Sequence, residues 1–385
     1  MATSKTYDVA VIGAGVFGAW TAYTLQRSGK SVALLDSYGA SNSRASSGGE
    51  SRIIRMGYGP DELYTRWSMR SLELWREFFA ASGKPLFNRT GMLWMAFENE
   101  LYPRDCEANF KKLGVKYEKY ERADLEKRYP QINFGMKITW GLFEPDSGVL
   151  LARRAVQAVV QESQKLGTEY KISAVTAPAG KGRLEAIATS GGEKISAGSF
   201  VFACGPWLPK VFPEILGQRI FPTRQEVFFF GVPAGDARFE PPAMPTWICL
   251  GDEIYGMPDL ENRGVKIAVD RHGPPLDPDT ASRVPTPEAE KAARAYLSER
   301  FPGLKNAPIV ESRVCQYENT SNGDFLVDRH PSFENVWLVG GGSGHGFKHG
   351  PAMGAYVAAR LAGEGAAEPR FSLATKQTMQ KRAVY

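Results

Sequence analysis

The 385-residue chain is poor in cysteine and histidine, with four of each. Cys106, Cys204, Cys249 and Cys315 stand far apart without a C-x-x-C pair, and of the four histidines only His345 and His349 have H-x-x-x-H spacing, inside a glycine-rich loop. Neither a disulfide framework nor a zinc site is indicated, and no metal is expected. No stretch reaches the roughly 18 apolar residues of a membrane span. The opening MATSKTYDVAVIGAG lacks the basic n-region and apolar core of a secretory signal, and the closing RAVY is not a peroxisomal address. These absences lead us to expect a reducing cytoplasm and no membrane partner. A dense basic run interleaved with aromatics is also missing, and the net charge is only +5. Nucleic acid is therefore not an expected partner, whereas a small anionic substrate is.

What is present fits a loop-rich α/β enzyme: 43% hydrophobic residues, 40 glycines and 25 prolines in a chain too long for one growing core. Residues 7 to 12, YDVAVI, form an apolar run of strand length. GAGVFG follows, then the helical pattern AWTAYTLQRSG and a second strand, SVALLD, ending at Asp36. This is a βαβ unit with a dinucleotide fingerprint. Gly13 makes the tight turn, Gly15 lets the backbone approach a pyrophosphate, and Gly18 permits close packing of helix on strand. The helix N-terminus then offers free N–H groups to the diphosphate, and Asp36 would accept hydrogen bonds from the adenosine ribose. The alternative is a glycine-rich turn without a ligand.

Two later segments look like parts of the same sheet. GSFVFACGPWLP (198 to 209) reads as a buried strand breaking at Gly205-Pro206. NVWLVGGGSGHGFKHGPAMGAYVAARLAGEG (335 to 365) reads as strand, glycine-rich loop and helix, with Pro351 in the first turn and Gly363 at its end. Between them PLFNRTGMLWMAF, ITWGLFEPDSGVL, QEVFFFGV, PTWICLGDEIYGMP and GVKIAVD alternate like strands. The expected fold is α/β with two lobes: a Rossmann-like dinucleotide lobe from 1–85, 150–220 and 322–385, and a mostly antiparallel substrate lobe from 86–149 and 221–321.

With the fingerprint, SGGESRIIRMGYG (47 to 59), Cys315 and GSGHGFKHGP (342 to 351) in that order, the whole chain resembles the monomeric sarcosine oxidase family, flavoproteins that oxidise secondary amino acids with oxygen. The resemblance implies FAD rather than NAD, and a fold like glucose oxidase and D-amino acid oxidase. It also implies that Cys315 carries the flavin through a thioether. A thiolate is the competent species, which suits its polar surroundings in SRVCQYENTSNGDF; by chemistry alone a single cysteine is a buried structural thiol.

Arg52 and Arg55, three apart in RIIR, are expected to share one side of a helical turn. By resemblance Arg52 lies near the flavin and Arg55 binds the substrate carboxylate, which a planar guanidinium can hold through two hydrogen bonds. The alternative is a pair of solvated surface cations. Lys348 resembles the second carboxylate ligand. Lys266, in the apolar strand GVKIAVD, resembles the lysine that reaches the flavin through a water and promotes oxygen reduction; at a sheet edge it would merely point outward. Ser51, Gly344, His345, Gly346 and Phe347 would contact the cofactor, with His345 shaping the loop rather than acting as a base. Tyr255 and Tyr317 correspond to aromatics lining the substrate pocket; their default is a core tyrosine with a satisfied hydroxyl.

The match departs from the family in two places. Sarcosine oxidases carry a histidine four residues after the lysine equivalent to Lys266, where this chain has Asp270. An acid there resembles the fructosyl amino acid oxidases, in which a carboxylate contacts the sugar, and SSGGES is smaller than its histidine-bearing counterpart. Asp270 could instead pair with Arg271 or a loop cation. The sequence thus predicts an FAD-dependent oxidase of N-methyl or N-substituted amino acids. The neutral amine is held by Arg55 and Lys348, hydride leaves the α or N-alkyl carbon without a strong protein base, and O2 becomes hydrogen peroxide near Lys266. Oxidation of fructosyl amino acids is the alternative within the family, and a nicotinamide-dependent dehydrogenase the alternative outside it. A monomer is expected.

Overall fold

The computed structural model describes residues 5–380, so the C-terminal RAVY lies outside them. The first strand, Thr6–Ile12, is apolar and buried along most of its length, as a strand covered on both faces must be. It pairs in parallel with Val32–Asp36 on one side and Lys194–Phe202 on the other. Glu169–Ile172 and Val336–Gly340 extend the sheet in parallel, and Leu326–Arg329 closes one edge antiparallel. The helix Val16–Arg27 leaves the first strand through Gly13, whose φ of +106° and close approach to the Ala203 carbonyl exclude a side chain. The helix Gly350–Ala362 packs beside it; Pro351 stands in its first turn and Gly363 caps it at φ +76°.

The second sheet has eight strands. Its longest pairing joins Ile220–Phe230 to Ile309–Thr320, setting Gln225 opposite Cys315 and Thr223 opposite Tyr317. Val265–Val269 is paired on both sides, by Ile220–Phe230 and by Ile254–Met257. The pairing is antiparallel except where Thr246–Cys249 meets Met92–Phe97. The helix Pro287–Arg300, capped by the Thr286 hydroxyl, packs Ala293 and Leu297 into a core cluster that includes Trp247 and Phe301 of this lobe. A three-stranded sheet of Arg52–Ile54, Gly148–Leu150 and Phe87–Asn88 carries the arginine segment. Among the described residues no helix is long and apolar enough to cross a membrane.

Candidate active site

A cavity of about 340 Å³ runs from the fingerprint at Gly13 and Gly15 to Cys315, Tyr317 and the glycine loop at Gly344, Gly346 and Phe347. The fingerprint is built tightly: a Cβ on Gly18 would stand 1.8 Å from the Gly13 carbonyl oxygen. At the helix start the Val16 N–H donates to the Ser47 hydroxyl at 3.0 Å. Asp36 lines the cavity but also braces the turn, accepting from the Ala14 N–H at 2.8 Å and the Tyr38 N–H at 2.9 Å. Its Oδ1 also accepts from the Asn42 side-chain amide at 3.5 Å. Burial raises its pKa against the pull of those N–H groups.

The RIIR segment corrects the expectation of a helical turn. Arg52–Ile54 is a strand, held antiparallel to Gly148–Leu150. Arg55 lies just past the strand's end, and the two arginines take different surroundings. Arg52 turns to the cavity, donating to the carbonyls of Ser51 at 2.8 Å and Ser46 at 2.7 Å and lying 3.2 Å from the Cys315 sulfur. Lys266 reaches the same Ser51 carbonyl from the other lobe at 3.2 Å. Its strand is interior, not an edge, and the side chain is buried between the rings of Phe229 and Tyr255. Burial, with the Arg52 charge adding to it, lowers the Lys266 pKa to about 7.

Arg55 is buried, not solvated, with its guanidinium 4.6 Å from the Tyr58 ring centre and 5.0 Å from that of Trp94. Lys348 is buried too and donates to the Tyr58 hydroxyl at 2.7 Å and the His345 carbonyl at 3.0 Å. The same hydroxyl meets His345 Nδ1 at 3.0 Å and His349 Nε2 at 2.8 Å, while His345 Nε2 bonds the Gly323 carbonyl at 2.9 Å. His345 therefore ties the glycine loop to Tyr58 and to the turn after Thr320. Burial and the neighbouring Arg55 charge hold the Lys348 pKa well below its ordinary value. Asp270 accepts from the Tyr317 hydroxyl at 3.4 Å. Burial raises its pKa, while Arg55 and Lys348 favour its charged form. The pairing of Asp270 with Arg271 does not form; Arg271 binds Glu253 instead. Tyr255 is held near Lys266 and senses Arg52, so the candidate residues of both lobes converge.

Three participants escape sequence reading. Tyr58 is the hub of the Lys348 cluster. Glu144, fully buried, accepts from Met56 N at 2.7 Å, Gly57 N at 3.1 Å, Trp94 Nε1 at 2.8 Å and Ser147 Oγ at 2.6 Å, and so fixes the chain just past Arg55. Glu318 lines the cavity three residues past Cys315. A glutamate inside an otherwise strand-like stretch is the one signal that could have flagged the last two.

A fingerprint cradle joined at one cavity to a thiol and an arginine, with Lys266 bonded to the same Ser51 carbonyl as that arginine, defines a dinucleotide-dependent oxidoreductase. Residues 8–360 match the DAO family of FAD dependent oxidoreductases, and the chain belongs to that family. It is 30% identical over 396 residues to monomeric sarcosine oxidase of Bacillus sp. (strain NS-129), covering 99% of this chain and 100% of that one. It is 29% identical over 364 residues to the peroxisomal sarcosine oxidase of Homo sapiens, covering 92% of each. Among solved structures, the fructosamine oxidase Amadoriase II of Aspergillus fumigatus superposes with a TM-score of 0.81 at 21% identity, covering 98% of this chain and 93% of that one. The residues fit an FAD: Gly13 and Gly15 line the cavity at the helix start, in a turn so close that a Cβ on Gly13 or Gly18 would strike backbone, and the buried Oε2 of Glu318, on the cavity wall, has no protein partner. The nicotinamide alternative is set aside by the family assignment.

Proposed function

We propose that the protein is an oxidase of N-substituted amino acids that releases hydrogen peroxide. The observation that carries this reading is the pair of buried cations, Arg55 and Lys348, close enough for Arg55 to depress the Lys348 pKa. Glu144 and Asp270 lie within electrostatic reach of this pair, and a guanidinium and an ammonium held side by side can together grip the carboxylate of an amino acid. Tyr58, bonded to Lys348, holds that ammonium in place, and Glu144 fixes the backbone beyond Arg55. The names of the relatives, sarcosine oxidases from bacterium and human, support the substrate class. Bound FAD supplies the two-electron acceptor for the amine's carbon–hydrogen bond. In this reading Cys315 tethers it covalently, Arg52 hydrogen-bonds the sulfur, and Gly13, Gly15, Gly18, Asp36, Ser51 and the loop from Gly344 to Lys348 cradle it. Lys266 supplies positive charge where O2 gains electrons. Tyr255 and Tyr317 wall the pocket, the two lobes divide near the boundaries drawn from sequence, and the enzyme works as a cytoplasmic monomer.

A second reading rests on Asp270. A half-buried carboxylate bonded to the cavity-lining Tyr317 suits the hydroxyls of a sugar, which favours a fructosyl amino acid. Peroxide release from sarcosine, pipecolate, N-methyl amino acids and fructosyl-glycine separates the two. Turnover of fructosyl-glycine alone would replace the first reading with the second, and no peroxide from any of them would defeat both.

A further inference from the structure

The strand Ile309–Thr320 lies at the edge of its sheet, and four successive residues, Cys315, Gln316, Tyr317 and Glu318, all line the cofactor cavity. Glu318 is the unusual member. Its side chain is buried, and Oε1 accepts from the Gly342 N–H at 3.2 Å. Oε2 is also buried and has no hydrogen-bond partner. Among the described residues no cation pairs with it. Its surroundings are bare backbone: a Cβ on Gly340 would approach Oε2 at 3.3 Å, one on Gly205 at 3.9 Å, and one on Gly342 would approach Oε1 at 3.3 Å. Burial raises the carboxyl's pKa to about 7, against the pull of the Gly341 and Gly342 N–H groups, so near neutral pH it can offer a proton as well as a lone pair.

An unpaired buried carboxyl oxygen on a ligand cavity calls for a ligand atom. The chemistry of the wall narrows which one. A diphosphate belongs at the helix N-terminus beside Gly15, and a carboxyl without a cation would repel it. The ring end of the flavin belongs at Cys315 under the proposed tether. Glu318 lies three residues further, about 10 Å along an extended strand. Between ring and diphosphate the cofactor is a polyhydroxylated chain. We propose that Glu318 Oε2 binds a ribityl hydroxyl of the FAD while Oε1 fastens the glycine loop. The inference rests on the family's cofactor and, for the position along the chain, on the proposed tether at Cys315; it does not depend on the amine substrate.

The test is equilibrium binding rather than turnover. Apoprotein carrying Cys315→Ser, which keeps association reversible, is titrated by flavin fluorescence with FAD and with FAD analogues lacking the 2′-, 3′- or 4′-hydroxyl. One analogue is expected to bind roughly ten- to a hundredfold more weakly than FAD, the cost of orphaning a buried polar group. Glu318→Leu should lose a similar factor for FAD and discriminate no further against that analogue. Glu318→Gln should stay within a fewfold of the parent. Equal affinity of the parent for FAD and all three analogues overturns the proposal, as does a Glu318→Leu loss that is the same for every ligand, which would leave Glu318 as a loop fastener only. If Glu318→Leu does not fold, Glu318→Asp carries the same comparison, since it draws the carboxyl back by one methylene.

Discussion

The Arg52 guanidinium stands 3.2 Å from the Cys315 sulfur, joining the small sheet to the edge strand of the large one across 263 positions of sequence. A guanidinium at this distance can hydrogen-bond the sulfur and hold it in place for bonding to carbon. In the parent protein, flavin should precipitate with the polypeptide in acid and appear in the intact mass. Cys315→Ala should release all of it to the supernatant, and Arg52→Gln should lower the attached fraction. Free flavin from the parent would remove the covalent assignment.

Arg55 has little room to be replaced. Its guanidinium lies over the rings of Tyr58 and Trp94 in a buried site, and lysine offers neither the planar cation nor the two-pronged hydrogen bond. Arg55→Lys should therefore raise KM for an amino acid substrate by roughly 10- to 100-fold with a smaller change in kcat, as expected when a binding interaction is lost. An unchanged KM would move the carboxylate elsewhere in the site.

The sequence makes the first lobe plain because its signals are local. An apolar run, three glycines and an acid at the second strand's end specify a βαβ unit within about 30 residues. The site is less legible because it is assembled from distant segments. RIIR has helical spacing, and only the partner strand Gly148–Leu150 makes it extended. Lys266 could have faced either way along its strand; its burial and its bond to the Ser51 carbonyl, a residue 215 positions away, show the inward direction. Tyr58, Glu144 and Glu318 carry no motif. Their importance comes from what surrounds them, for Glu144 four donors contributed by three separated stretches of chain.

Those four donors make Glu144 sensitive to a minimal change. In Glu144→Gln an amide NH2 replaces an acceptor, so N–H groups are brought face to face in a buried site. The loss should be about 2–3 kcal/mol of unfolding free energy, the cost of leaving buried donors unsatisfied. Chemical denaturation measures it. Because the segment after Arg55 is released, KM should rise as well; a stability loss with unaltered KM would confine Glu144 to a structural role.

Lys266 is expected to act in the oxygen step alone. Lys266→Met should slow reoxidation of the photoreduced protein by O2 on the order of 10²–10³-fold, the usual effect of removing one preorganised charge or donor. Anaerobic reduction by substrate should change far less. Stopped-flow absorbance follows both halves, and equal slowing of the two would place the lysine in amine binding instead.

The same lysine should leave a signature in stability against pH. Its folded pKa, lowered to about 7, lies below the ordinary lysine value because the ammonium is buried. Below pH 7 both folded and unfolded chains hold the proton, so the folded state bears the full cost of the buried charge. As pH rises from about 7 toward 10.4, the native state sheds its proton while the unfolded chain keeps it, and stability gains up to about 1.4 kcal/mol per pH unit from this group. Lys266→Met has no such proton. Measured on apoprotein by urea unfolding, the variant's advantage over the parent should be widest below pH 7 and shrink steadily above it. Subtracting the two curves cancels the groups they share. A difference that stays flat from pH 6 to 9.5 would mean that the Lys266 pKa is not depressed within that range.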